Sequence, residues 1–412
     1  MSLPKASGNF LFGSVVFDYS EMKILLCNKV YHRAGGASIY TINLAEMLRE
    51  RGHEVAVFAM KDPQTLKTPW SKYFPSGVNM GSPLSKLRFA ARCMGDRETS
   101  ARFKALLDAF RPDVVHLNNI HSQLSPIIAK IAHTHGCRVV WTLHDYKLLC
   151  PRYDCLRNGK EHCEACFSDK KNVLRYSCMK NSLSASVVAY CEALKWNRER
   201  LEAWTDAFLC PSSYLRDKML QGGFRPGKLH HRCNFIDTTT CKRTDYDKRG
   251  DYYCYVGRLS HEKGLETLVK AAASLPYRLL IVGDGPLNGK LPVADNIEYT
   301  GRKEWPQIKE IVGAARFLVI PSEWGENNPL SVIESLCLGT PVLGSRIGGI
   351  PELIKEGVTG ATFTSGDKEN LASAIPAMYA KSFDYASIAA DAQARFSADS
   401  YYLCLMELYQ GK

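Results

Sequence analysis

Two glutamates eight positions apart, Glu326 and Glu334, could hold a polar ligand between them. They lie in the segment PSEWGENNPLSVIESLCLGTPVLGS, residues 321–345. Pro329 predicts the start of a helix between them, because proline is favoured at the first helical position, where its missing N–H would be unpaired anyway. Glu326 then lies at the mouth of the helix. Glu334 follows about a turn and a half inside it, among apolar neighbours, where a carboxylate is costly unless something hydrogen-bonds it.

The start of the predicted helix is a candidate anion site. Asn327 or Asn328 can supply the cap, and the first turn then leaves free N–H groups near Leu330 and Ser331. Phosphate-binding amides flanked by two carboxylates suit a nucleotide-sugar, whose diphosphate, ribose and hexose need such partners in sequence. The alternative is a surface glutamate pair on an ordinary capped helix.

Two cations follow an earlier strand-like run. The segment VGRLSHEKG places Arg258 and Lys263 beyond the apolar run YYCYVG. Arginine can bond a phosphate in bidentate fashion, whereas lysine acts as a point charge. Together with a helix start they would neutralise a diphosphate without a metal ion. The alternative is a solvated charge run, which is disfavoured because both residues follow a strand and flank the start of a helix.

The first half of the chain has candidate residues at strand ends, where open α/β sheets bind ligands. Gly35 and Gly36 precede a helical stretch, and glycines let a backbone approach a ligand closely. His144 directly follows the strand-like run RVVWTL. A further polar group, which could line an acceptor pocket, consists of His116, Asn118, Asn119 and His121. His116 could equally belong to the core.

Two sheets are needed to position these residues, and the chain alternates short apolar runs with amphipathic stretches, as parallel α/β proteins do. The runs of the first half are MKILLC, HEVAVFAM, DVVHL, RVVWTL and AFLCPS. After a charged linker over residues 241–251 the pattern restarts. We therefore expect two Rossmann-like domains that face a cleft, over residues 22–240 and 241–383, preceded by an N-terminal extension over residues 1–21.

The spacing of the two glutamates resembles the E-x7-E motif of glycosyltransferase family 4, the retaining enzymes of the GT-B fold. The resemblance covers nearly the whole chain after Met22. In that family the glycine loop lies near the donor diphosphate and the acceptor, and the histidine that His144 matches reaches the donor sugar. VGRLSHEKG resembles the signature that clamps the donor diphosphate. A tail such as residues 384–412 crosses back to pack on the first domain.

The resemblance implies a retaining hexosyltransferase whose catalytic residues are Glu326 and His144. Glu326 would hold sugar hydroxyls, and Glu334 would bond the ribose. The chain departs from many relatives at Asn327-Asn328-Pro329, where they have Gly-Phe-Gly. The donor would be a UDP- or GDP-linked sugar, and the acceptor would be lipid-linked or a saccharide. The reaction would belong to the assembly of cell-surface polysaccharide or glycolipid. No cofactor would be required for catalysis. Two alternatives use the same donor site: a nucleotide-sugar epimerase or hydrolase, and a non-catalytic sugar-nucleotide binding protein.

Charge is distributed unevenly along the 412 residues. Residues 1–200 contain 29 Lys and Arg against 17 Asp and Glu, which gives +12, whereas the remainder has 24 against 25, which gives −1. This asymmetry favours an anionic partner for the first domain, such as a membrane surface. The alternative is charge that only keeps a helical surface soluble. Nucleic acid is disfavoured as a partner, because the sequence has no RNA-binding signature and no dense arginine stripe. FLFGSVVF lacks the flanks of a signal peptide. We expect a cytoplasmic protein, with peripheral attachment to the inner face of the membrane as one interpretation.

Five of the fifteen cysteines crowd into one segment, and we call them the cysteine cluster. They are Cys150, Cys155, Cys163, Cys166 and Cys178. A local cluster without export signals favours metal over disulfides, and four thiolates could hold one structural zinc. The alternative is a reduced, cysteine-rich loop without a ligand.

Overall fold

Two parallel sheets form the framework of the chain, as a computed structural model shows. The structure describes residues 9–12, 15–18, 20–78, 81–242 and 245–411. The strands of the first half are β1 (Asn9–Phe12), β2 (Val15–Asp18), β3 (Lys23–Cys27), β4 (Glu54–Phe58), β5 (Val114–Leu117), β6 (Arg138–Thr142), β7 (Leu156–Arg157), β8 (Glu161–His162), β9 (Ala207–Cys210) and β10 (Leu229–His231). Six of them form the first sheet, all parallel, in the order β4-β3-β5-β6-β9-β10. The pairs β1-β2 and β7-β8 are short antiparallel hairpins.

The second sheet has the strand order of a Rossmann fold. Its strands are β11 (Tyr252–Val256), β12 (Arg278–Val282), β13 (Ile297–Gly301), β14 (Leu318–Ile320), β15 (Val342–Ser345) and β16 (Gly360–Phe363). They are parallel and lie in the order β13-β12-β11-β14-β15-β16. The predicted α/β fold with two Rossmann-like domains is therefore confirmed.

Helices cover both faces of both sheets. Those of the first half are α1 (Gly36–Glu50), α2 (Pro83–Cys93), α3 (Arg97–Phe110), α4 (Ile127–Thr134), α5 (Asn172–Arg175), α6 (Leu183–Lys195), α7 (Arg198–Trp204) and α8 (Ser213–Gln221). Those of the second half are α9 (Leu265–Ala272), α10 (Trp305–Ala314), α11 (Leu330–Cys337), α12 (Ile350–Leu353), α13 (Lys368–Ala380), α14 (Tyr385–Arg395) and α15 (Ala398–Gln410). Within the described part of the chain, no helix combines the length and the apolar character needed to cross a bilayer.

The continuous apolar runs of the sequence are strands buried on both faces. In β3, Ile24 and Leu26 belong to the core beneath α1, whereas Leu25 and Cys27 belong to the core beneath α3 and α4. Leu25 pairs in register with one residue of β4 and one of β5. Strands that are covered on both sides have no polar face, so their sequences do not alternate.

The C-terminal tail crosses back to the first domain over a shorter stretch than predicted. Of residues 384–412, the part up to Phe396 packs on the second domain, where Ile388 joins the core around α11. Only α15 returns, and Tyr401 and Tyr409 enter the core of the first domain. The tail divides because α14 and α15 bury their apolar faces against different sheets.

The predicted N-terminal extension, residues 1–21, lies partly outside the residues that the structure describes. Its described part contains the hairpin β1-β2. The first strand of the sheet follows directly, at Lys23.

Candidate active site

The carboxyl ends of the central strands meet where the strand order reverses, and open α/β sheets bind ligands at such points. In the second sheet this point lies between β11 and β14. The loop after β11 contains Arg258 and Lys263, and the loop after β14 leads through Glu326 to α11. The fold therefore brings these three predicted residues to the same edge of the sheet.

Lys263 and Glu326 form an ion pair at this edge, in which Nζ of Lys263 donates to Oε1 of Glu326. The hydroxyl of Ser322 donates to the same carboxylate oxygen over 3.0 Å. The loop after β11 approaches the loop after β14 closely at Gly264. Glycine is required there because φ is 69° and a Cβ would lie 1.8 Å from the carbonyl oxygen of Pro321. The sequence thus places a cation and a buried carboxylate side by side at this edge of the sheet.

Arg258 is exposed on the same loop. Its main chain is fixed by the hydroxyl of Tyr255, which donates to the Arg258 carbonyl over 2.8 Å, and Leu259 donates its N–H to the carbonyl of Asp284 over 3.0 Å. The second contact anchors the loop to the VGDGPLNG turn. The Arg258 guanidinium has no partner among the described residues, so the fixed backbone can present it as a phosphate-binding cation.

The start of α11 differs in detail from the prediction. The helix begins at Leu330, so Pro329 is the residue before the helix, and neither asparagine caps it. Asn328 instead accepts the N–H of Asn234 over 2.8 Å. The N–H groups of Leu330 and Ser331 have no acceptor among the described residues. The expected anion site therefore has its free donors, although the capping prediction was wrong.

Asn327 presents an unpaired carboxamide beside these donors. Its side-chain nitrogen and oxygen are both buried, and neither has a hydrogen-bond partner within the described ranges. The residue is only 7% exposed. Its carbonyl oxygen would lie 1.9 Å from a Cβ at Gly349, so the RIGGIPELI segment packs directly behind it. Buried amides normally find partners, which makes Asn327 a candidate contact for ligand hydroxyls.

Glu334 lies inside α11, between the buried residues Ile333 and Ser335. Although part of its side chain reaches the surface, burial by the surrounding protein raises the pKa of its carboxyl to about 7. No hydrogen bond from the described residues opposes this shift. A hydroxyl that donates to the carboxylate would offset the cost of its burial.

The first domain contributes a second helix start. Gly36 begins α1, Gly35 precedes it, and both are exposed. A Cβ at either position would meet nothing within 4 Å. Among the described residues, nothing therefore crowds the backbone at this helix start, and ligand binding by the glycine pair stays a prediction.

His144 lies behind that helix start. Its ring is 5.0 Å from the ring of Tyr40 on α1, and its Nε2 lies 3.0 Å from Oδ1 of Asn118. Burial lowers the pKa of His144 to about 3, so the imidazole is neutral at physiological pH. With Nε2 donating to Asn118, the other ring nitrogen is an acceptor for a hydroxyl.

The four residues expected to line an acceptor pocket separate in the structure. His116 is completely buried and bonds the hydroxyls of Tyr409 and Thr142 over 2.6 and 2.7 Å. It therefore connects β5 to α15, and this placement argues against contact with an acceptor. Asn118 is also buried and orients His144.

The other two members of this group lie in the segment that follows β5. Asn119 is half-buried; its carbonyl accepts the N–H of Lys29 over 2.9 Å, and its N–H donates to Oδ1 of Asn28 over 3.1 Å. His121 stacks on Trp141 at 5.3 Å. Burial, assisted by Lys147 and Lys29, keeps the pKa of His121 well below its usual range.

Direct contacts join the two halves of the site across the cleft. The hydroxyl of Tyr146 donates to the carbonyl of Gly325 over 2.7 Å, so the loop that carries His144 touches the loop that carries Glu326. The carboxylate of Glu352 accepts the first two N–H groups of α8 over 2.7 and 2.6 Å. The first contact joins a first-domain loop to a second-domain loop, and the second holds the start of α8 against the second domain.

Sequence models of two glycosyltransferase groups match the chain in succession. The model described as Glycosyltransferase Family 4 matches residues 34–240, half of the chain. The model described as Glycosyl transferases group 1 matches residues 239–395. The chain belongs to glycosyltransferase family 4.

Curated relatives and solved structures resemble this family 4 member over most of its length. An uncharacterised 42.6 kDa protein in the cps region of Klebsiella pneumoniae is 26% identical over 357 residues, 81% of this chain and 87% of that protein. The structure of Anabaena HepE in complex with UDP-glucose has a TM-score of 0.66 at 18% identity and covers 95% of this chain and 100% of that one. Sucrose-phosphate synthase from Thermosynechococcus elongatus has a TM-score of 0.68 at 21% identity, with coverages of 95% and 99%. These likenesses show the GT-B fold.

The cysteine cluster of this family 4 member folds into a tight segment after β6. Thiol hydrogen bonds from Cys155 and Cys166 lower the pKa of Cys150, and a cavity of about 10 Å³ is lined by Cys163 and Cys178 among others. All five thiols are free of disulfides. Among the described residues, no group of three or more Cys, His, Asp or Glu is arranged to hold a metal ion. The structural zinc remains a prediction.

Ser322 and Tyr146 were not singled out from the sequence, although both touch the site. Ser322 is the first polar residue after ARFLVIP, so strand-end placement could have pointed to it. Tyr146 lies two residues beyond His144 and reaches the other domain. No local signal identifies that contact, because its partner is 179 residues away.

Proposed function

We propose that this family 4 member is a retaining glycosyltransferase that moves a hexose-type sugar from a UDP- or GDP-linked donor to a hydroxyl acceptor. One observation carries the proposal. The paired Lys263 and Glu326 lie at the same strand-end edge as the exposed Arg258 and the free amides that begin α11. The arrangement offers positive charge for a diphosphate next to a carboxylate for a sugar.

The donor diphosphate would lie between the two cations and the N–H groups of Leu330 and Ser331. Cations and a helix start both stabilise phosphate oxygens. Glu334, farther along α11, would accept hydrogen bonds from the ribose hydroxyls, which favours its ionised form. The HepE complexes with UDP and UDP-glucose, on the same fold, support a nucleotide-sugar as the ligand class.

The donor hexose would lie on the first-domain side of the diphosphate. Glu326 would accept hydrogen bonds from sugar hydroxyls and favour the positive charge that develops at the anomeric carbon. The unpaired carboxamide of Asn327 would bond further hydroxyls. Neutral His144 would accept a hydrogen bond from a sugar hydroxyl on the opposite side, since its pKa of about 3 leaves the imidazole uncharged.

In the transfer step, the acceptor oxygen forms a bond to the anomeric carbon while the bond between that carbon and the diphosphate oxygen breaks. The acceptor hydroxyl proton passes to the departing diphosphate oxygen. Attack from the face that the diphosphate leaves retains the configuration. Arg258, Lys263 and the α11 amides would stabilise the leaving charge, which is an electrostatic contribution.

The acceptor is proposed to be lipid-linked or a saccharide, in the assembly of cell-surface polysaccharide or glycolipid. The relative in the cps region of Klebsiella pneumoniae supports this role. The open space before Gly35 and Gly36 offers the acceptor a place opposite the donor site.

A two-stage experiment tests the proposal. Nucleotide-sugars are first screened by thermal shift, where a donor at a hundredfold excess over its Kd should stabilise the chain by about 2.7 kcal/mol. Release of nucleoside diphosphate is then measured with and without acceptors, and proton NMR gives the anomeric configuration of the product. Acceptor-dependent release with a retained anomer is expected. Release without an acceptor would indicate a hydrolase or epimerase, binding without turnover a binding protein, and an inverted product a different mechanism.

A further inference from the structure

Two helices of the first domain present aliphatic side chains to solvent. On α2, Leu84 and Leu87 are 60% and 68% exposed, and their spacing puts them on the same face. On α6, Leu183, Val187 and Leu194 are 61%, 43% and 50% exposed and follow one stripe along the helix. Single exposed leucines are ordinary, but five aliphatic side chains on two neighbouring helices point to an interaction surface.

The two helices are joined at their carboxyl ends. Nζ of Lys195 donates to the carbonyl of Met94 over 2.7 Å, and the indole N–H of Trp196 donates to the carbonyl of Cys93 over 2.7 Å. We call the exposed faces of α2 and α6 the α2–α6 surface. These contacts hold the two helices next to each other on the first domain.

The charge of the α2–α6 surface is of one sign. Lys86, Arg88 and Lys195 are exposed on the two helices. Glu192 is the single acidic residue in either helix, and it is buried in an ion pair of 2.8 Å with Lys147. The helices thus expose aliphatic side chains and cations without an exposed carboxylate of their own.

We infer that the α2–α6 surface docks the chain on an anionic lipid bilayer. Helices that combine aliphatic side chains with Lys and Arg bind in the interfacial region of membranes, where anionic headgroups attract the cations. The charge of +12 in residues 1–200 acts in the same direction. The inference goes beyond the proposed reaction and does not depend on it.

A second copy of the chain is a poorer occupant of this surface. A twofold contact would bring the same patch of each copy together, and the exposed cations Lys86 and Arg88 would then face like charges without carboxylates from these helices. A bilayer supplies the missing negative charge and an apolar layer together. We therefore commit to the membrane, and self-association becomes an outcome that would overturn the inference.

Cosedimentation with vesicles tests the apolar contribution. The full chain is mixed with vesicles of phosphatidylcholine and phosphatidylglycerol in about equal amounts, and with vesicles of phosphatidylcholine alone. We expect Leu84→Asp with Leu87→Asp to weaken binding to the anionic vesicles roughly 100-fold, because burying each side chain contributes about tenfold. The matched control is Val293→Asp with Val358→Asp, at positions 87% and 60% exposed on the second domain, and it should bind like the original chain.

Charge reversal tests the electrostatic contribution. Lys86→Glu with Arg88→Glu should weaken binding at least about 25-fold at low salt, since each cation near an anionic surface contributes about fivefold. Reversal of the exposed Lys270 and Lys290 on the second domain is the control. High salt should reduce the binding of the unmodified chain in the same way.

The outcomes distinguish membrane docking by the α2–α6 surface from misfolding, from nonspecific charge attraction and from self-association. Circular dichroism and thermal unfolding establish that each variant folds, and Leu183→Asp with Leu194→Asp on α6 replaces the α2 variant if that one does not. Absence of binding at low salt, equal binding to phosphatidylcholine alone, or equal losses in the second-domain controls would overturn the inference. If the unmodified chain were a dimer in solution and the α2 variant a monomer, the α2–α6 surface would be assigned to contact with a second copy instead.

Discussion

Replacement of Glu334 by glutamine should change stability and donor affinity in opposite directions. The carboxyl lies within α11, and burial raises its pKa from an ordinary 4.5 to about 7. The native chain therefore keeps the proton over a pH range in which the unfolded chain has lost it. Stability falls as the pH rises through this window, because the native state binds more protons than the unfolded state.

The size of the stability change follows from that shift. The difference between 4.5 and about 7 corresponds to roughly 3 kcal/mol at about 1.4 kcal/mol per unit. Partial exposure of the side chain and screening by solvent reduce this upper bound to roughly 1–2 kcal/mol. Glu334→Gln removes the ionisation. The midpoint temperature of thermal unfolding of the variant at about pH 8 should therefore be several degrees higher than that of the unmodified chain, given about 2–4 °C per kcal/mol. The gain should vanish at about pH 4, where both states hold the proton.

Donor affinity should move the other way. Ribose hydroxyls that donate to an ionised carboxylate contribute about 1.5–3 kcal/mol, so Glu334→Gln should weaken nucleoside-diphosphate binding roughly tenfold to 100-fold. In the unmodified chain the affinity should rise by up to about tenfold per pH unit up to about pH 7, because the bound form requires ionisation. In the variant this pH dependence should be absent.

Differential scanning fluorimetry and calorimetric titration measure the two effects on the same samples. The ligand is UDP or GDP, whichever stabilises the chain in the donor screen. Glu46→Gln, at an exposed side chain in the interior of α1, is the matched control and should change neither quantity. If the variant had a lower unfolding temperature at about pH 8 and an unchanged affinity for the nucleoside diphosphate, the reasoning would be refuted. Glu334 would then stabilise the fold and have no part in binding.

Four further predictions concern the site and the cysteine cluster. Arg258→Ala and Lys263→Ala should each weaken nucleoside-diphosphate binding by about 1–3 kcal/mol, the range for charged hydrogen bonds, and unchanged calorimetric affinities in both would remove them from the diphosphate site. Glu326→Gln should lose turnover by about two orders of magnitude or more with a much smaller loss of nucleoside-diphosphate affinity; the reverse pattern would exchange its role with that of Glu334. Activity should persist in EDTA, because two cations and helix amides already balance the diphosphate charge, and a strict magnesium requirement would contradict this. The cysteine cluster should contain about one zinc per chain when protein purified without metal-affinity resin is analysed, and five titratable thiols without zinc would reject the site.

The sheets could be predicted because their strands are short apolar runs with helical stretches between them. MKILLC and YYCYVG begin the two domains, and both become central strands, β3 and β11, covered on both faces. The edge strands β10 and β16 were not predicted, since LHH and GATF are too short and mixed to stand out from loops. Continuous apolar runs thus identify strands such as β3 and β11, whereas the short, mixed strands β10 and β16 escape detection.

The start of α11 shows where local rules gave way to tertiary contacts. Asparagines before a proline favour a capped helix, yet Asn328 accepts the N–H of Asn234, which is 94 residues away. That bond fastens the second domain to the segment that leaves the first. Sequence spacing locates the glutamates correctly, but it does not reveal a competing partner from another domain.

His116 shows the same limit on the first-domain side. A polar residue within the strand DVVHL suggests a site, and its alternative as a core residue rests on sequence alone. The structure buries it against Tyr409 of α15, which arrives from the far end of the chain. His144 lies beyond the end of the neighbouring strand β6 and not within it. The position relative to the strand end therefore distinguishes the two histidines.

The most direct test of the central claim is the position of the diphosphate in a crystal structure of the chain with bound UDP or GDP. We predict phosphate oxygens within about 3 Å of the Leu330 and Ser331 amides, with Arg258 or Lys263 on their other side. Density for the diphosphate elsewhere, for example only at the start of α1 in the first domain, would contradict the assignment of the donor site.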